Sequence, residues 1–321
     1  MIESCQTPNT ASPRHRAFAL TRRRCLSAML TAAAIASCGA AIAQPAQAPA
    51  PPATLLQNVR IFDGRSTTLS APSHVLVTGN KIQTISAQPI AIADRTGLRV
   101  IDGGGRTLMP GLTDMHWHAM MVRSTPAQIL SSDMGYTTLL AGAEATATLM
   151  RGFTTVRDMG GPSFSLKRAI DGGVLPGPRI YPSGAMITVT SGHGDFRPIT
   201  DLPRTIGGML SRVEQLGGAM ITDSPDEVRT RVREQLMLGA SQIKLTAGGG
   251  VASPFSPLDV TTFTEPELRA AVEAAENWGT YVATHAYTSA AVRRSIAAGV
   301  KVIEHGHLMD DGDHHGPIDE R

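Results

Sequence analysis

The chain has 321 residues, 42% hydrophobic and 17% charged, with a formal net charge of +2. This is an ordinary globular composition with length enough for a large core. All three cysteines, Cys5, Cys25 and Cys38, lie in the first 38 residues, so the rest of the chain holds no internal disulfide and no thiolate metal ligand. The first 43 residues carry five arginines and one glutamate, so without them the charge becomes −2. Nothing then suggests a nucleic-acid surface.

In chain order, residues 1–43 read as an export signal. Thr21-Arg22-Arg23-Arg24-Cys25-Leu26 precedes an apolar stretch to Ala36, and Ala41-Ile42-Ala43 is a cleavage site. The stretch is too short and alanine-rich for a transmembrane helix. Arg22-Arg23 fits a twin-arginine leader as well as a general secretory one. Either gives an exported protein, periplasmic or secreted. Ile35-Ala36-Ser37-Cys38 offers a lipoprotein alternative, which would place the chain on a membrane through Cys38. Residues 44–53 form a Pro/Ala linker.

Alternating runs at Thr54–Phe62, His74–Val77, Lys81–Ile85 and Leu98–Ile101 predict a small antiparallel β unit over 54–112, with Gly79-Asn80 at a hairpin turn. From Thr113 the rhythm becomes strand, glycine-bearing loop, helix. Strands are predicted at Thr113–His118, Thr154–Asp158, Arg179–Thr190, Gln242–Thr246, Tyr281–His285 and Lys301–His305. Ser224-Pro225-Asp226-Glu227 and Thr264-Glu265-Pro266-Glu267 read as capping boxes that open helices, which Gly239 and Gly279 end. Ser289–Ala298 is a further helix. Six such strands predict a (β/α) barrel or an open parallel sheet.

Polar residues favour the barrel. His116 and His118 alternate around Trp117, so both imidazoles share one strand face, roughly 6 to 7 Å apart, while Trp117 points away. Two neutral imidazoles so mounted can grip one metal ion. Lys244, His285 and His305 lie at or near the carboxyl ends of later strands, and in a barrel those ends converge on one mouth. Lys244, between Ile243 and Leu245, then faces the interior among imidazoles. There burial and like charge lower its pKa, and a neutral amine can add carbon dioxide to form a carbamate that bridges two metals.

These residues resemble the amidohydrolase superfamily, in its imidazolonepropionase-like and Xaa-Pro dipeptidase (prolidase-like) branch. The matching stretches are MPGLTDMHWH (109–118), GFTTVRDMGG (152–161), SGHGD (191–195), GASQIKLTAGGG (239–250) and the run from Thr284 to Gly306. The resemblance implies α/β architecture: a (β/α)8 TIM barrel over 113–306, with about six of eight strands present, beside part of a small β-sandwich. It implies two divalent metal ions, zinc by preference. His116 and His118 would hold one, His285 and His305 the other, and Lys244 as carbamate would bridge them. His193 and Tyr287 would line the substrate site, and His307 falls just past the last strand. The implied activity is hydrolysis of an amide C–N bond in a dipeptide or N-acyl amino acid, with lactone or ester cleavage as the near alternative.

The family also uses an aspartate at the end of strand eight, and the sequence stops after strand six. The run DDGDHHGP (310–317) is polar where the pattern predicts an amphipathic helix, and His314-His315 reads as a solvated tail. The expectation is a truncated barrel without the proton-shuttling acid, and an inactive fragment is the rival reading.

Overall fold

The computed structural model describes residues 52–310. The predicted leader, most of the linker, Cys38, Asp311, Asp313 and His314-His315 lie outside the described residues. The described residues divide into two compact units, one of residues 52–58 with Ser73–Gly104, the other of Val59–Pro72 with residues 105–310.

The first unit is built on β1 (Ala53–Ile61), β2 (Ser73–Thr78), β3 (Lys81–Ser86) and β4 (Arg99–Asp102), in the order β3-β2-β1-β4. β2 and β3 form the expected antiparallel hairpin across Gly79-Asn80. The expectation of an all-antiparallel unit is wrong, because β1 and β4 run parallel, Thr54 opposite Arg99 through Gln57 opposite Asp102. Alternation fixes which face a strand buries but not its direction, and a long connection separates β3 from β4. Leu55 and Val75 are its most buried apolar side chains.

The second unit starts with the far half of β1, which pairs in parallel with β5 (Thr107–Leu108). There follow β6 (Leu112–Trp117), α1 (Pro126–Ser131), α2 (Met134–Met150), β7 (Phe153–Asp158), α3 (Phe164–Asp171), β8 (Arg179–Pro182) and β9 (Met186–Thr188). Then come α4 (Arg212–Gln215), β10 (Ala219–Ile221), α5 (Pro225–Met237), β11 (Ile243–Thr246), α6 (Glu265–Glu276), β12 (Val282–Thr288), α7 (Ser289–Ala297) and β13 (Val302–Leu308). The strands are parallel and form two sheets, β6-β7-β8 and β10-β9-β11-β12-β13.

Three local expectations are corrected. Arg179–Thr190 is two strands, because Gln235 of α5 reaches in at the break, where its Oε1 accepts the Ala185 N–H at 2.9 Å. A Cβ at Gly184 would sit 2.3 Å from that oxygen, so only glycine fits there. The break leaves β9 with β10 on one side and β11 on the other, and β10 was not foreseen. At α5, Ser224 caps Glu227 as expected, but the Glu227 carboxylate reaches the Asp223 N–H at 2.7 Å, so the box is displaced by one residue. At α6 the box closes on the expected residue, Glu267 Oε2 accepting from the Thr264 N–H at 2.8 Å and from its hydroxyl at 2.7 Å. β13 also runs on to Leu308 and takes in His307.

The two faces of β11 show how the core positions the site. Ile243, Leu245 and Ala247 pack outward with Val228, Val232, Leu268, Ala271 and Ala275 of α5 and α6 in the main apolar cluster. Lys244 and Thr246, one residue out of phase, point the other way.

Candidate metal centre

Five imidazoles and one amine meet on the inner side of this unit. The His116 ring lies 5.2 Å from that of His118 and 4.7 Å from that of His305, and the His285 ring is 4.6 Å from His305, centre to centre. The His193 ring stacks on His285 at 4.4 Å, and Tyr287 meets His285 edge-on at 4.6 Å. His307 stacks on Tyr287 at 5.8 Å, so it joins the rim of the cluster. Thus His116, His118, Lys244, His285, His305, His193 and Tyr287 share one neighbourhood.

Local sequence explains most placements. His116 and His118 flank Trp117, which turns outward into an apolar cluster with Ala141, Ala145, Val156 and Ile180. His193 sits in a loop where Ser253 Oγ accepts the Gly194 N–H at 2.8 Å and lies 3.1 Å from His193 Nδ1. A Cβ at Gly250 would fall 2.0 Å from that Nδ1, so the glycine run after β11 makes room for the ring. His305 is unusual. Its neighbour Glu304 pairs with His285 and faces inward, so strict alternation would turn His305 outward. A bulge and a left-handed backbone at His305, φ +80°, bring its ring inward as well.

The cluster's charges follow from burial. Lys244 is 1% exposed, and its Nζ has no hydrogen-bond partner among the described residues. Burial pulls its pKa from 10.5 to about 7, with the Glu304 charge opposing and that of Arg157 assisting. Burial likewise draws His118 down to about 3, helped by His116 and Lys244. His285 falls to about 2, and His193 and His305 each to about 4, from burial first and then from repulsion between the imidazoles and Lys244 whenever both partners are protonated. These four imidazoles are therefore neutral at pH 7 and keep a lone pair.

The donor set fits divalent metals in kind and in spacing. Two imidazoles on one tetrahedral zinc have ring centres about 5 Å apart, given Zn–N near 2.0–2.1 Å. The His116–His118 pair, at 5.2 Å, and the His285–His305 pair, at 4.6 Å, lie near that value. The buried, unpartnered atoms include Lys244 Nζ and His118 Nδ1, as expected where a charged group belongs. Among the described residues no three His, Cys, Asp or Glu groups already converge on one ion. Three of these rings have a nitrogen turned elsewhere, His116 Nδ1 to Glu304 Oε2 at 2.7 Å, His285 Nε2 to the Gly249 carbonyl at 2.6 Å, and His118 to the Gly160 backbone. Each of those rings retains its other nitrogen.

The amidohydrolase family model matches residues 107–320. The chain belongs to the amidohydrolase family. Ochratoxinase of Aspergillus niger is 32% identical over 222 residues, which are 64% of this chain and 44% of that protein. A prolidase solved with N-methylphosphonate-L-proline is 37% identical with a TM-score of 0.74, covering 81% of this chain and 62% of that one. A Xaa-Pro dipeptidase with methionine in its active site is 34% identical with a TM-score of 0.69, at 81% and 63% coverage. The chain thus spans about half to two thirds of the length of these relatives. The likeness assigns the α/β layers of the second unit to the amidohydrolase (β/α) barrel.

In this member of the amidohydrolase family the supporting residues are those that sequence reading missed. Glu304 joins three strands: it holds His116 of β6, and it forms a buried ion pair with Arg157 of β7. Arg157 also donates from Nε to the Met115 carbonyl at 2.7 Å. Burial pushes the Glu304 carboxyl upward, but the His116 hydrogen bond and the charges of Lys244 and Arg157 hold it below its ordinary value. Asp158 is fully buried, accepts the Ala119 N–H at 2.9 Å and the Ser163 hydroxyl, and burial raises it to about 7. Arg157 and Asp158 stand inside GFTTVRDMGG, and two adjacent charges in an otherwise strand-like run were the available clue.

Proposed function

We propose that the chain forms the metal-binding part of a metal-dependent amidohydrolase that cleaves an amide C–N bond in a dipeptide or N-acyl amino acid. The observation that carries this is the gathering of His116, His118, His285 and His305 around the buried, unpartnered amine of Lys244. In this reading His116 and His118 would hold one divalent ion and His285 and His305 a second, and Lys244, as a carbamate, would supply an anionic ligand beside them. Zinc is the preferred metal. When bound, such ions polarise a carbonyl and lower the pKa of water toward ~7.

The chain's own residues set up that chemistry. Glu304 accepts the Nδ1–H of His116 and so fixes the tautomer whose Nε2 is free to ligate. Asp158 pins the backbone just beyond His118 through the Ala119 N–H. Lys244, about half deprotonated near pH 7, has the free amine that takes up carbon dioxide and releases a proton. His193 and Tyr287, packed on His285, stand where a substrate is contacted. The substrate class is supported by the prolidase and Xaa-Pro dipeptidase likenesses. Export, periplasmic or secreted, is proposed from the leader.

The test is zinc titration of the purified chain followed by hydrolysis assays on Xaa-Pro dipeptides, N-acyl amino acids, lactones and esters. The expected result is two zinc ions per chain and metal-dependent release of amine from the amides. Failure to bind zinc, or cleavage of lactones and esters alone, overturns the reading.

A further inference from the structure

A cavity of about 300 Å³ opens beside the imidazole cluster, with His118 and His193 in its lining. Its other walls come from five separate segments: Ile129 and Leu130 after β6, Met186 of β9, Phe196 beyond the His193 loop, Val213 and Leu216 of and after α4, and Ala252 after β11. Among the described residues Ser124 is the only polar non-histidine side chain in the lining, and no Lys, Arg, Asp or Glu faces it. Beyond the lining residue Phe196, Arg197 holds both oxygens of Asp195 at 2.8 and 2.6 Å, so these two charges satisfy each other. The lining therefore offers no cation to receive a carboxylate.

The cavity is also built to persist. Arg212 of α4 donates to the carbonyls of Leu130 and Ser132 at 3.2 and 2.8 Å, tying the α1 wall to the opposite wall. A Cβ at Gly160 would lie 2.6 Å from Met186 Cγ and 3.4 Å from His118 Cε1, so that glycine lets the apolar wall and the imidazole meet. A group in this cavity therefore reaches the cluster directly. Its volume is about twice the ~150 Å³ of an apolar cavity that admits benzene.

We propose that this cavity is the side-chain subsite of the enzyme and receives an uncharged apolar group, aromatic or branched aliphatic, of the substrate whose amide lies at the imidazole cluster. The inference rests on the amide-hydrolase reading for what happens at the cluster, but the cavity's selectivity follows from its lining alone. A charged group entering it would lose its hydration with no counter-ion to replace it.

The experiment is ligand-observed NMR titration of the full chain, without metal and with zinc, using benzyl alcohol, benzylamine as its cation and benzoate. In the metal-free chain benzyl alcohol is expected to bind at least about tenfold more tightly than either charged analogue. Val213→Phe, which fills the cavity from α4, and Ile129→Trp, which fills it from the half-buried α1, are each expected to weaken benzyl alcohol at least about tenfold. The second variant keeps the test open if the first fails to fold. Equal binding of the neutral and charged probes, or binding indifferent to the fillings, overturns the subsite. Discrimination by a chain that takes up no zinc upholds the subsite and removes the hydrolase reading; zinc uptake without discrimination does the reverse.

Discussion

In β11 every residue from Ile243 to Thr246 is buried, and the strand has β9 on one side and β12 on the other. In β13 only Glu304 is fully buried, and among the described residues the strand pairs with β12 alone. Both bring polar side chains to the same cluster. β11 holds Lys244 by the packing of Ile243 and Leu245 against two helices, so regular alternation suffices. β13 packs Ile303 against the same apolar cluster and α7, but its site residues Glu304 and His305 are set by ion pairing and an irregular backbone. Placement by packing costs the site little, whereas placement by charge makes the edge strand dependent on its partners.

The sharpest way to break that dependence is Glu304→Gln. It leaves the Arg157 guanidinium, whose side chain is 8% exposed, buried without its counter-ion. Removing one partner of a buried pair costs about 3 kcal/mol or more, and replacing both with apolar residues recovers much of it. Urea unfolding should show that loss for Glu304→Gln, and the double variant Arg157→Met, Glu304→Leu should regain most of it. If the single variant unfolds like the parent, charge does not hold β13.

On β11 the opposite sign is expected. Lys244→Met keeps the length of the side chain and deletes an amine without a partner, so the metal-free chain should gain about 1–3 kcal/mol of stability. Metal affinity should meanwhile fall by at least the ~10–100-fold that loss of an outer-shell partner brings. A variant that is destabilised without metal, or that binds zinc unchanged, would contradict the role given to Lys244.

The same contrast should separate along the pH axis in the metal-free chain. His118, His193, His285 and His305 have folded pKa values of about 2 to 4, below the usual 6.5. Between those values the unfolded chain binds more protons, so stability falls as pH drops below about 6.5. Lys244, at about 7 against 10.5, has the same sign in a higher window, so stability keeps rising from pH 7 toward 10. Asp158, raised to about 7, opposes the trend between pH 4 and 7 but is a single group. A fully buried group contributes up to ~1.4 kcal/mol per pH unit, and the exposed His305 contributes least because solvent screens it. Urea midpoints measured from pH 5 to 9 should rise throughout, and Lys244→Met should flatten only the part above 7.

What could be read in the sequence divides along the same line. Alternation and helix caps located β11, β12, α5, α6 and the His116-Trp117-His118 face, because those rules act between near neighbours in the chain. Three features were not legible because each is set by a distant partner. Gln235 splits β8 from β9 from some fifty residues away. Arg157 finds Glu304 across 147 positions. β1 and β4 pair in parallel over a long connection. α2 was missed for another reason: its buried face is Thr137, Ala141, Gly142, Ala145 and Thr148, small residues whose periodicity is faint beside exposed Leu139 and Met150.

The smallest effect concerns the backbone of β13. Alternation places either Glu304 or His305 inside, and the left-handed residue at 305 allows both. Histidine and asparagine enter that region more readily than most residues, while a β-branched side chain there is strained by about 1–2 kcal/mol. His305→Asn and His305→Val both remove the imidazole, so their difference isolates the bulge. The valine variant should be about 1–2 kcal/mol less stable in urea than the asparagine variant, with the amide-exchange protection of β13 reduced in the valine variant alone. Equal stability would mean that β13 can return to regular alternation at no cost, and that the inward His305 is not set by its backbone.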